Sequence, residues 1–220
     1  MSFNTEHFKC LLCSRSLESL AVLCQPCTEI SQLASPTFIP LGPEDDSKLY
    51  SLIKADFTAS WLHHTLTMPE VIAIYAILMD KMSMQLYDSV RGSNQSPMET
   101  RLYHGTRVEC GFGSSSMVPC DSQTCYLCRI VKEGFRHPMP SGVKAINNGV
   151  WDRFGSAIYA TPVSSKAADY ENMRNRTASN EERLRHIVVV RVATGNQETL
   201  HRDDRLHPAS TQSVLQEVQR

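Results

Sequence analysis

The eight cysteines of this 220-residue chain occur in two groups of four, and no cysteine lies outside these groups. The first group comprises Cys10, Cys13, Cys24 and Cys27, and the second comprises Cys110, Cys120, Cys125 and Cys128. An even number of cysteines is compatible with disulfides, but the N-terminus MSFNTEHFKC lacks the basic and apolar pattern of a signal peptide. Thiols stay free in a reducing compartment, so we expect an intracellular protein, in the nucleus or the cytoplasm, whose cysteines bind metal.

The first group has the spacing C-x2-C-x10-C-x2-C, which is close to that of a zinc ribbon. Each C-x2-C pair can hold one side of a tetrahedral Zn²⁺ ion. A segment with so little apolar core needs a metal to fold, whereas the alternative is four unrelated buried thiols. We predict a structural zinc site in a zinc-ribbon-like module over residues 1–34.

The second group combines the spacing C-x4-C-x2-C with Cys110, which lies ten residues before Cys120. The alternatives are reduced thiols in a loop, or a redox-active C-x2-C pair, although such a pair would require a thioredoxin-like βαβ context that the pattern here lacks. His104 is a rival for the fourth ligand position. We predict a second structural Zn²⁺ ion that holds the long connection 110–128 in place.

The charge and the apolar runs exclude two classes of partner. The net charge is −1, so there is no basic excess of the kind that favours non-specific binding to nucleic acid. The longest apolar run is VIAIYAILM, residues 71–79, whereas a membrane-spanning helix needs about 20 residues. We therefore predict a soluble protein with no membrane partner.

Apolar periodicity predicts strands and helices that alternate along most of the chain. The predicted strands are 71–78, 101–106, 156–161 and 186–194, and the predicted helices are 79–91, 126–135 and 164–170. Residues 71–78 are ambiguous, because a run of this kind also fits a buried helix. Without a regular βαβ repeat, the fold class is α+β. Residues 35–46, rich in proline and acidic residues, predict a linker between the N-terminal module and a main domain over 47–220.

Two motifs outside the cysteine groups carry a resemblance to a known family. The first is Tyr103-His104-Gly105-Thr106, and the second is Ala157-Ile158-Tyr159 followed by Ser165-Lys166 and Tyr170. Together they resemble the poly(ADP-ribose) polymerase family of ADP-ribosyltransferases, and the resemblance covers about residues 47–218. The cysteines after the first motif, and a helix that ends in Gly134-Phe135, are similar to a zinc-containing subset that is common in fungi.

The resemblance implies an ADP-ribosyltransferase-like fold of mixed or antiparallel sheets with flanking helices, and NAD⁺ as the substrate. The matching residues assign NAD⁺ contacts to His104, Gly105, Thr106, Tyr159, Ser165 and Tyr170, with His104 and Tyr159 as the catalytic pair. An imidazole can bond a ribose hydroxyl, a glycine lets its backbone approach the nicotinamide carboxamide, and two aromatic rings can sandwich the nicotinamide.

The implied activity is transfer of ADP-ribose, as a single unit, to a protein or nucleic-acid acceptor. The alternative is a catalytically inactive module of the same fold that binds NAD⁺, ADP-ribose or a protein partner. This choice of function depends on where the chain departs from the family.

Two departures from the family pattern affect catalysis. Ala167 stands where the family has a serine that bonds the carboxamide, and Ser164 or Ser165 is a candidate replacement. The family also has a last strand that bears a catalytic glutamate, and Glu198 and Glu217 do not match its position. We therefore expect a C-terminally incomplete domain that transfers ADP-ribose slowly or not at all.

Overall fold

The protein has an α+β fold, which confirms the predicted fold class. The computed structural model describes residues 8–10, 15–17, 24–30, 36–44, 48–64, 67–93, 98–136, 157–172, 184–194, 197–200 and 214–217. The described strands are β1 (Phe8–Lys9), β2 (Ser16–Leu17), β3 (Thr37–Leu41), β4 (Ile74–Leu78), β5 (Met98–Gly105), β6 (Ile187–Thr194), β7 (Gln197–Leu200) and β8 (Val214–Glu217). The described helices are α1 (Gln25–Ile30), α2 (Leu49–Ala59), α3 (Lys81–Ser93), α4 (Tyr126–Glu133) and α5 (Ser164–Asn172).

Strand β5 is hydrogen-bonded along both of its edges. On one edge it pairs antiparallel with β6 over its whole length, from Met98 opposite Thr194 to Gly105 opposite Ile187. On the other edge the Tyr103 N–H donates to the Thr161 carbonyl at 2.7 Å, and the Thr161 N–H donates back at 2.9 Å. The segment before Thr161 therefore runs beside the end of β5. The sequence predicts a strand over 156–161, whereas among the described residues 157–161 only this one bridge forms.

The two faces of β5 carry different layers, because successive side chains in a strand point in opposite directions. On one face, the ring of Tyr103 packs edge-on against Phe57 of α2, with centroids 6.0 Å apart, and helix α5 covers Gly105. On the opposite face, His104 contacts Phe135, the second residue after α4. The end of β5 thus lies between helices α2 and α5 on one side and α4 on the other.

The main hydrophobic core lies on the α4 side of the sheet. Its buried members are Phe112, Cys125, Leu127, Cys128, Val131 and Val188. Phe38 of β3 extends this core, since its ring meets Phe112 edge-on at 4.9 Å between centroids. The amphipathic pattern of α4 accounts for this placement, because Leu127, Cys128 and Val131 recur at helical spacing and are all buried.

Strand β3 lies inside the segment 35–46 that the sequence analysis interprets as a linker. It pairs antiparallel with β4 over five residues, from Thr37 opposite Leu78 to Leu41 opposite Ile74. Pro40 has no N–H to donate, and among the described strands β3 pairs only with β4, so the proline sits where a missing donor is tolerated. Leu41 is buried against Leu49 of α2, so this segment is part of the packed structure. The domain boundaries at 34 and 46 stay predictions.

The other predicted elements lie close to their observed positions. The run at 71–78 forms strand β4 from Ile74, and the following helix α3 ends at Ser93. The predicted strands at 101–106 and 186–194 are β5 and β6, and the predicted helices at 126–135 and 164–170 are α4 and α5. Glu198 lies in β7 and Glu217 in β8, two strands that pair in parallel.

Among the described residues, no helix combines the length and the apolar character that crossing a membrane requires.

Truncation of a core leucine should destabilise the protein far more than truncation of an exposed one. Leu127 is 5% exposed in the main core, whereas Leu86 of α3 is 67% exposed. We expect Leu127→Ala to lower the free energy of unfolding by about 2–5 kcal/mol, through lost burial and the cavity it leaves. Leu86→Ala should change it by about 0.5 kcal/mol or less. Urea unfolding at fixed zinc concentration measures both values, and equal losses would contradict this description of the core.

Candidate functional site

The second cysteine cluster is formed by four thiols that the fold brings together. Cys110 follows β5 by five residues, Cys125 caps the N-terminus of α4, and Cys128 lies in the first turn of that helix. Together with Cys120, their sulfur atoms all lie within 4.8 Å of one another. All four predicted ligands of this site therefore meet, and the cluster can hold a metal ion.

The distances between these sulfur atoms fit a tetrahedral metal site. Cys110 Sγ lies 3.5 Å from Cys128 Sγ and 3.7 Å from Cys125 Sγ. A disulfide would require about 2.05 Å. In a tetrahedral zinc site with Zn–S bonds of about 2.3 Å, the sulfurs lie about 3.8 Å apart. Since soft thiolates suit zinc, both the spacing and the chemistry of the donors fit that ion.

Hydrogen bonds favour a thiolate at Cys125, whereas burial raises the pKa of the Cys128 thiol. Burial raises the pKa of the Cys125 thiol, but hydrogen bonds from the backbone N–H groups of Glu109 and Cys128 outweigh it and lower the pKa to about 7. The Glu109 N–H lies 3.4 Å from Cys125 Sγ. Arg107 and Arg129 bond the carbonyls of Thr124 and Gln123 in the cysteine loop. Both guanidinium groups also pair with carboxylates, Arg107 with Glu109 and Arg129 with Glu133.

The first cysteine cluster has three thiols in place among the described residues. The sulfurs of Cys10, Cys24 and Cys27 lie within 4.8 Å of one another, and Cys10 and Cys24 are buried. Cys13, the fourth predicted ligand, lies outside the described residues. Strands β1 and β2 pair antiparallel, and next to them the Cys10 N–H donates to the Arg15 carbonyl at 2.8 Å. This arrangement can also hold a metal ion.

His104 has one ring nitrogen fixed by the backbone. Its Nδ1 lies 2.7 Å from the carbonyl oxygen of Tyr159. A carbonyl only accepts, so Nδ1 carries the proton, and in the neutral ring Nε2 is an acceptor. Burial lowers the pKa of His104, and the bond to Tyr159 only partly opposes this effect. His104 is therefore neutral at pH 7, with Nε2 able to accept a hydrogen bond from a hydroxyl group.

Gly105 is required by the close approach of α5 to the end of β5. A Cβ atom at this position would overlap the carbonyl oxygen of Ala167 and would lie 3.3 Å from the Cβ atom of Tyr170. Ala167 and Ala168 are fully buried, so small residues on both elements bring them into contact. The resemblance implies that the nicotinamide approaches the backbone of Gly105 where a side chain would otherwise stand. Here the backbone of α5 occupies that space.

The two serines at the start of α5 bind the end of α2. The Ser164 hydroxyl donates to the Phe57 carbonyl at 2.7 Å, and the Leu62 N–H donates to the Ser165 hydroxyl at 3.2 Å. Both serines are buried. Two residues along a helix correspond to about 200° of rotation, so Ser165 and Ala167 lie on opposite sides of α5. The fold thus directs Ser165 towards α2 and not towards Gly105.

The remaining predicted contacts surround the end of β5. Tyr159 lies beside the strand end, where its carbonyl accepts from His104, and Tyr170 stands one helical turn after Ala167. The side chain of Tyr170 is partly exposed, at 39%. Thr106 is buried directly after β5. Of the six residues predicted to contact NAD⁺, the structure brings His104, Gly105, Tyr159 and Tyr170 together, places Thr106 next to them and turns Ser165 away.

Phe135 is a member of this site that the sequence reasoning did not include among the site residues. Its ring meets the ring of His104 edge-to-face, with centroids 5.0 Å apart and an interplanar angle of 90°. The available signal was the Gly134-Phe135 pair at the end of a predicted helix. Nothing in the sequence indicated that this helix packs across the strand that carries His104.

Comparison with models of protein families gives no match for this chain, and no curated protein is significantly similar to it.

Both cysteine clusters should bind zinc, with about two ions per chain. Cys120→Ser should lower the zinc content by one ion, because it removes one of four thiolates from a closed site. Cys27→Ser should remove the other ion independently. Elemental analysis of purified protein measures both, with Ser114→Ala as a control on the cysteine loop. A content below one zinc per chain in the unaltered protein would refute the assignment.

Gly105→Ala should separate α5 from β5. The overlap is with backbone, which no rotamer change relieves, so we expect a loss of about 1–3 kcal/mol in the free energy of unfolding. Gly111→Ala is the matched control, because its new methyl group would overlap only a side-chain hydroxyl, that of Ser115, which can rotate, and would lie 3.3 Å from the Cβ atom of Ser115 and 3.9 Å from Ser114 Oγ. Denaturant unfolding of both variants compares them. If Gly105→Ala were as stable as the control, the close contact between β5 and α5 would be wrong.

Proposed function

We propose that this chain is an NAD⁺-dependent ADP-ribosyltransferase that binds NAD⁺ at the end of β5. One observation carries the proposal: two motifs more than fifty residues apart in sequence meet at this place. His104 bonds the backbone of Tyr159, and Gly105 lies against the helix that bears Tyr170. These are four of the residues that the resemblance assigns to the dinucleotide. The α+β fold, with β5 bonded on both edges, supports the further proposal of an ADP-ribosyltransferase-like fold.

In this proposal, His104 binds the adenosine ribose. Its Nδ1 is occupied by the Tyr159 carbonyl, which leaves Nε2 as an acceptor for a ribose hydroxyl. A protonated ring would have no acceptor to offer. The burial that lowers the pKa of His104 therefore keeps it in the form that can bind a hydroxyl at neutral pH.

Tyr170 and Tyr159 bind the nicotinamide between them in this proposal. Aromatic rings stack favourably on a flat heterocycle, and the partly exposed ring of Tyr170 has surface left to cover. The backbone of Tyr159 is held at the strand end by His104, so both tyrosines belong to elements fixed on β5. The nicotinamide would thus be oriented by parts of the chain that already pack together.

The transfer itself consists of breaking and making one bond at the same carbon. The bond between the nicotinamide nitrogen and ribose C1′ breaks, and nicotinamide leaves with the electron pair. A nucleophile of a protein or nucleic acid then bonds C1′ and releases its proton to water, which yields a single ADP-ribose unit on the acceptor. The residues at the end of β5 contribute by holding NAD⁺ with this bond exposed, and positioning of this kind can supply much of a rate enhancement.

A second function, binding of NAD⁺ or ADP-ribose without turnover, is favoured by a specific observation. Ala167 is fully buried and has no hydroxyl for the carboxamide, and the hydroxyls of Ser164 and Ser165 already bond α2 and the residues that follow it. Loss of one hydrogen bond typically costs about 0.5–1.5 kcal/mol. Nicotinamide would then be held weakly, and the site would serve recognition better than catalysis.

Zinc has a structural role in both versions of the proposal. The second cysteine cluster offers four thiolates, which complete a tetrahedral ion and leave no open position for a substrate. The two Zn²⁺ ions therefore fix parts of the fold, and binding of NAD⁺ depends on the residues at the end of β5.

Substitution of Tyr170 should abolish binding of nicotinamide or a benzamide analogue. Most of the contact is stacking area, so we expect Tyr170→Ala to weaken binding at least tenfold and Tyr170→Phe to retain it. Tyr126→Ala is the matched control, since the ring of Tyr126 stacks on Arg107 at another part of the surface. Calorimetric titration measures each affinity. Equal affinities for Tyr170→Ala and the unaltered protein would show that the ligand does not bind against Tyr170.

Incubation with labelled NAD⁺ distinguishes the two proposed functions, transfer of ADP-ribose and binding without turnover. Transfer is supported if the unaltered chain yields labelled protein and the His104→Ala variant does not. Binding of the analogue without any labelled product supports binding without turnover.

A further inference from the structure

His104 is held on a second side by an aromatic ring. Besides the hydrogen bond from Nδ1 to Tyr159, its ring packs against Phe135 with the two planes perpendicular. An edge-to-face pair fixes both the position and the tilt of the rings. Phe135 and the backbone of Tyr159 therefore both contact the imidazole of His104.

The direction of Phe135 is set by the glycine before it. Gly134 ends α4 with a φ of 74° and a ψ of −177°, and its N–H donates to the Ile130 carbonyl at 2.9 Å. Residues with a side chain rarely adopt this φ. A Cβ at Gly134 would meet nothing within 4 Å, so the backbone angle, and not lack of space, requires glycine here. This turn directs the chain from the helix axis back to the sheet.

The other end of α4 belongs to the second cysteine cluster. Cys125 caps the helix and Cys128 lies in its first turn, and both are fully buried. The helix has eight residues, which corresponds to about 12 Å. Val131, in the turn before Gly134, is also buried in the main core. A short helix held at these points transmits the position of its first turn to its last.

We propose that Phe135 is a positioning residue for His104, and that the metal ion of the second cysteine cluster sets Phe135 through α4. The inference rests on the proposed function where it assigns His104 to ligand binding. The positioning itself concerns only this chain and one metal ion. Loss of the ion would release the first turn of α4, shift Phe135 and free the imidazole from the Tyr159 carbonyl.

The tautomer of His104 reports this positioning without any ligand. With Nδ1 bonded to Tyr159, the neutral ring carries its proton on Nδ1. Long-range proton–nitrogen NMR of protein labelled with ¹⁵N-histidine distinguishes the two tautomers. The chain has eight histidines, and the spectrum of His104→Gln identifies the signals of this one.

Phe135→Ala should shift the tautomer ratio of His104 by roughly 2- to 13-fold towards the form with the proton on Nε2. This factor corresponds to the usual strength of an edge-to-face pair. Phe135→Tyr, which keeps the ring, should retain the original ratio. Cys120→Ser, which removes a ligand that is not on α4, should lose one zinc ion and shift the ratio in the same direction. Cys27→Ser in the first cysteine cluster is the matched control and should leave the ratio unchanged.

The double variant Phe135→Ala with Cys120→Ser decides whether the metal acts through Phe135. We expect the double variant to shift the tautomer ratio of His104 no further than the single variants do, because both changes remove the same restraint. If Cys120→Ser loses its helical circular dichroism, Gly134→Ala at full zinc content replaces it, since alanine disfavours the φ that directs Phe135.

An unchanged tautomer ratio in Phe135→Ala overturns the proposal. It is also overturned if the shift in the double variant equals the product of the shifts in Phe135→Ala and Cys120→Ser. Because the ratio is read without ligand, the two proposals fail separately. Absence of nicotinamide binding contradicts the function proposed above, and an unchanged tautomer ratio contradicts the positioning by Phe135.

Discussion

The hydrogen bonds of β5, along one edge to β6 and on the other edge at one bridge to Thr161, bring the residues of the candidate site together. The pairing with β6 fixes the register of the strand, and the bridge between Tyr103 and Thr161 brings the second motif to its other edge. Because side chains alternate along a strand, Gly105 then meets α5 while His104 meets Phe135. A shift of one residue in the register would exchange these faces, and it would separate Gly105 from α5 and His104 from Phe135.

The second cysteine cluster includes a stretch, residues 110–125, in which Phe112 is the one buried side chain besides a cysteine. Residues 110–125 include four serines, two glycines, one proline and one threonine. Their main regular feature is a turn around Gly111. The thiols join this stretch to the first turn of α4, and the buried face of that helix continues into the main core. The candidate metal site and the hydrophobic core are thus adjacent, and α4 contributes residues to both.

Much of the site could be predicted from local patterns. Cysteine spacing predicted which four thiols meet at the second cluster, because ligand pairs two residues apart can face a single ion. The His-Gly and Tyr motifs predicted the residues that gather at the end of β5. Strand β3 was missed because proline and acidic residues suggest a loop, whereas Pro40 is compatible with a strand that pairs on one edge. The hydrogen bond of Ser165 near the end of α2 could not be predicted, because the rotation of α5 depends on how Ala167 packs against Gly105, and no local pattern reports such a contact.

The contact between Gly105 and the Ala167 carbonyl also constrains how this sequence can evolve. A serine at position 167, as in the resembling family, would place a hydroxyl in a space that is closed to solvent. A buried hydroxyl without a partner is costly, so the change would be selected against unless a neighbouring group could bond it. Alteration of Gly105 first would not help, since any larger residue there displaces α5. The two positions are therefore coupled, and a serine at position 167 would require compensating changes in the packing of the helix.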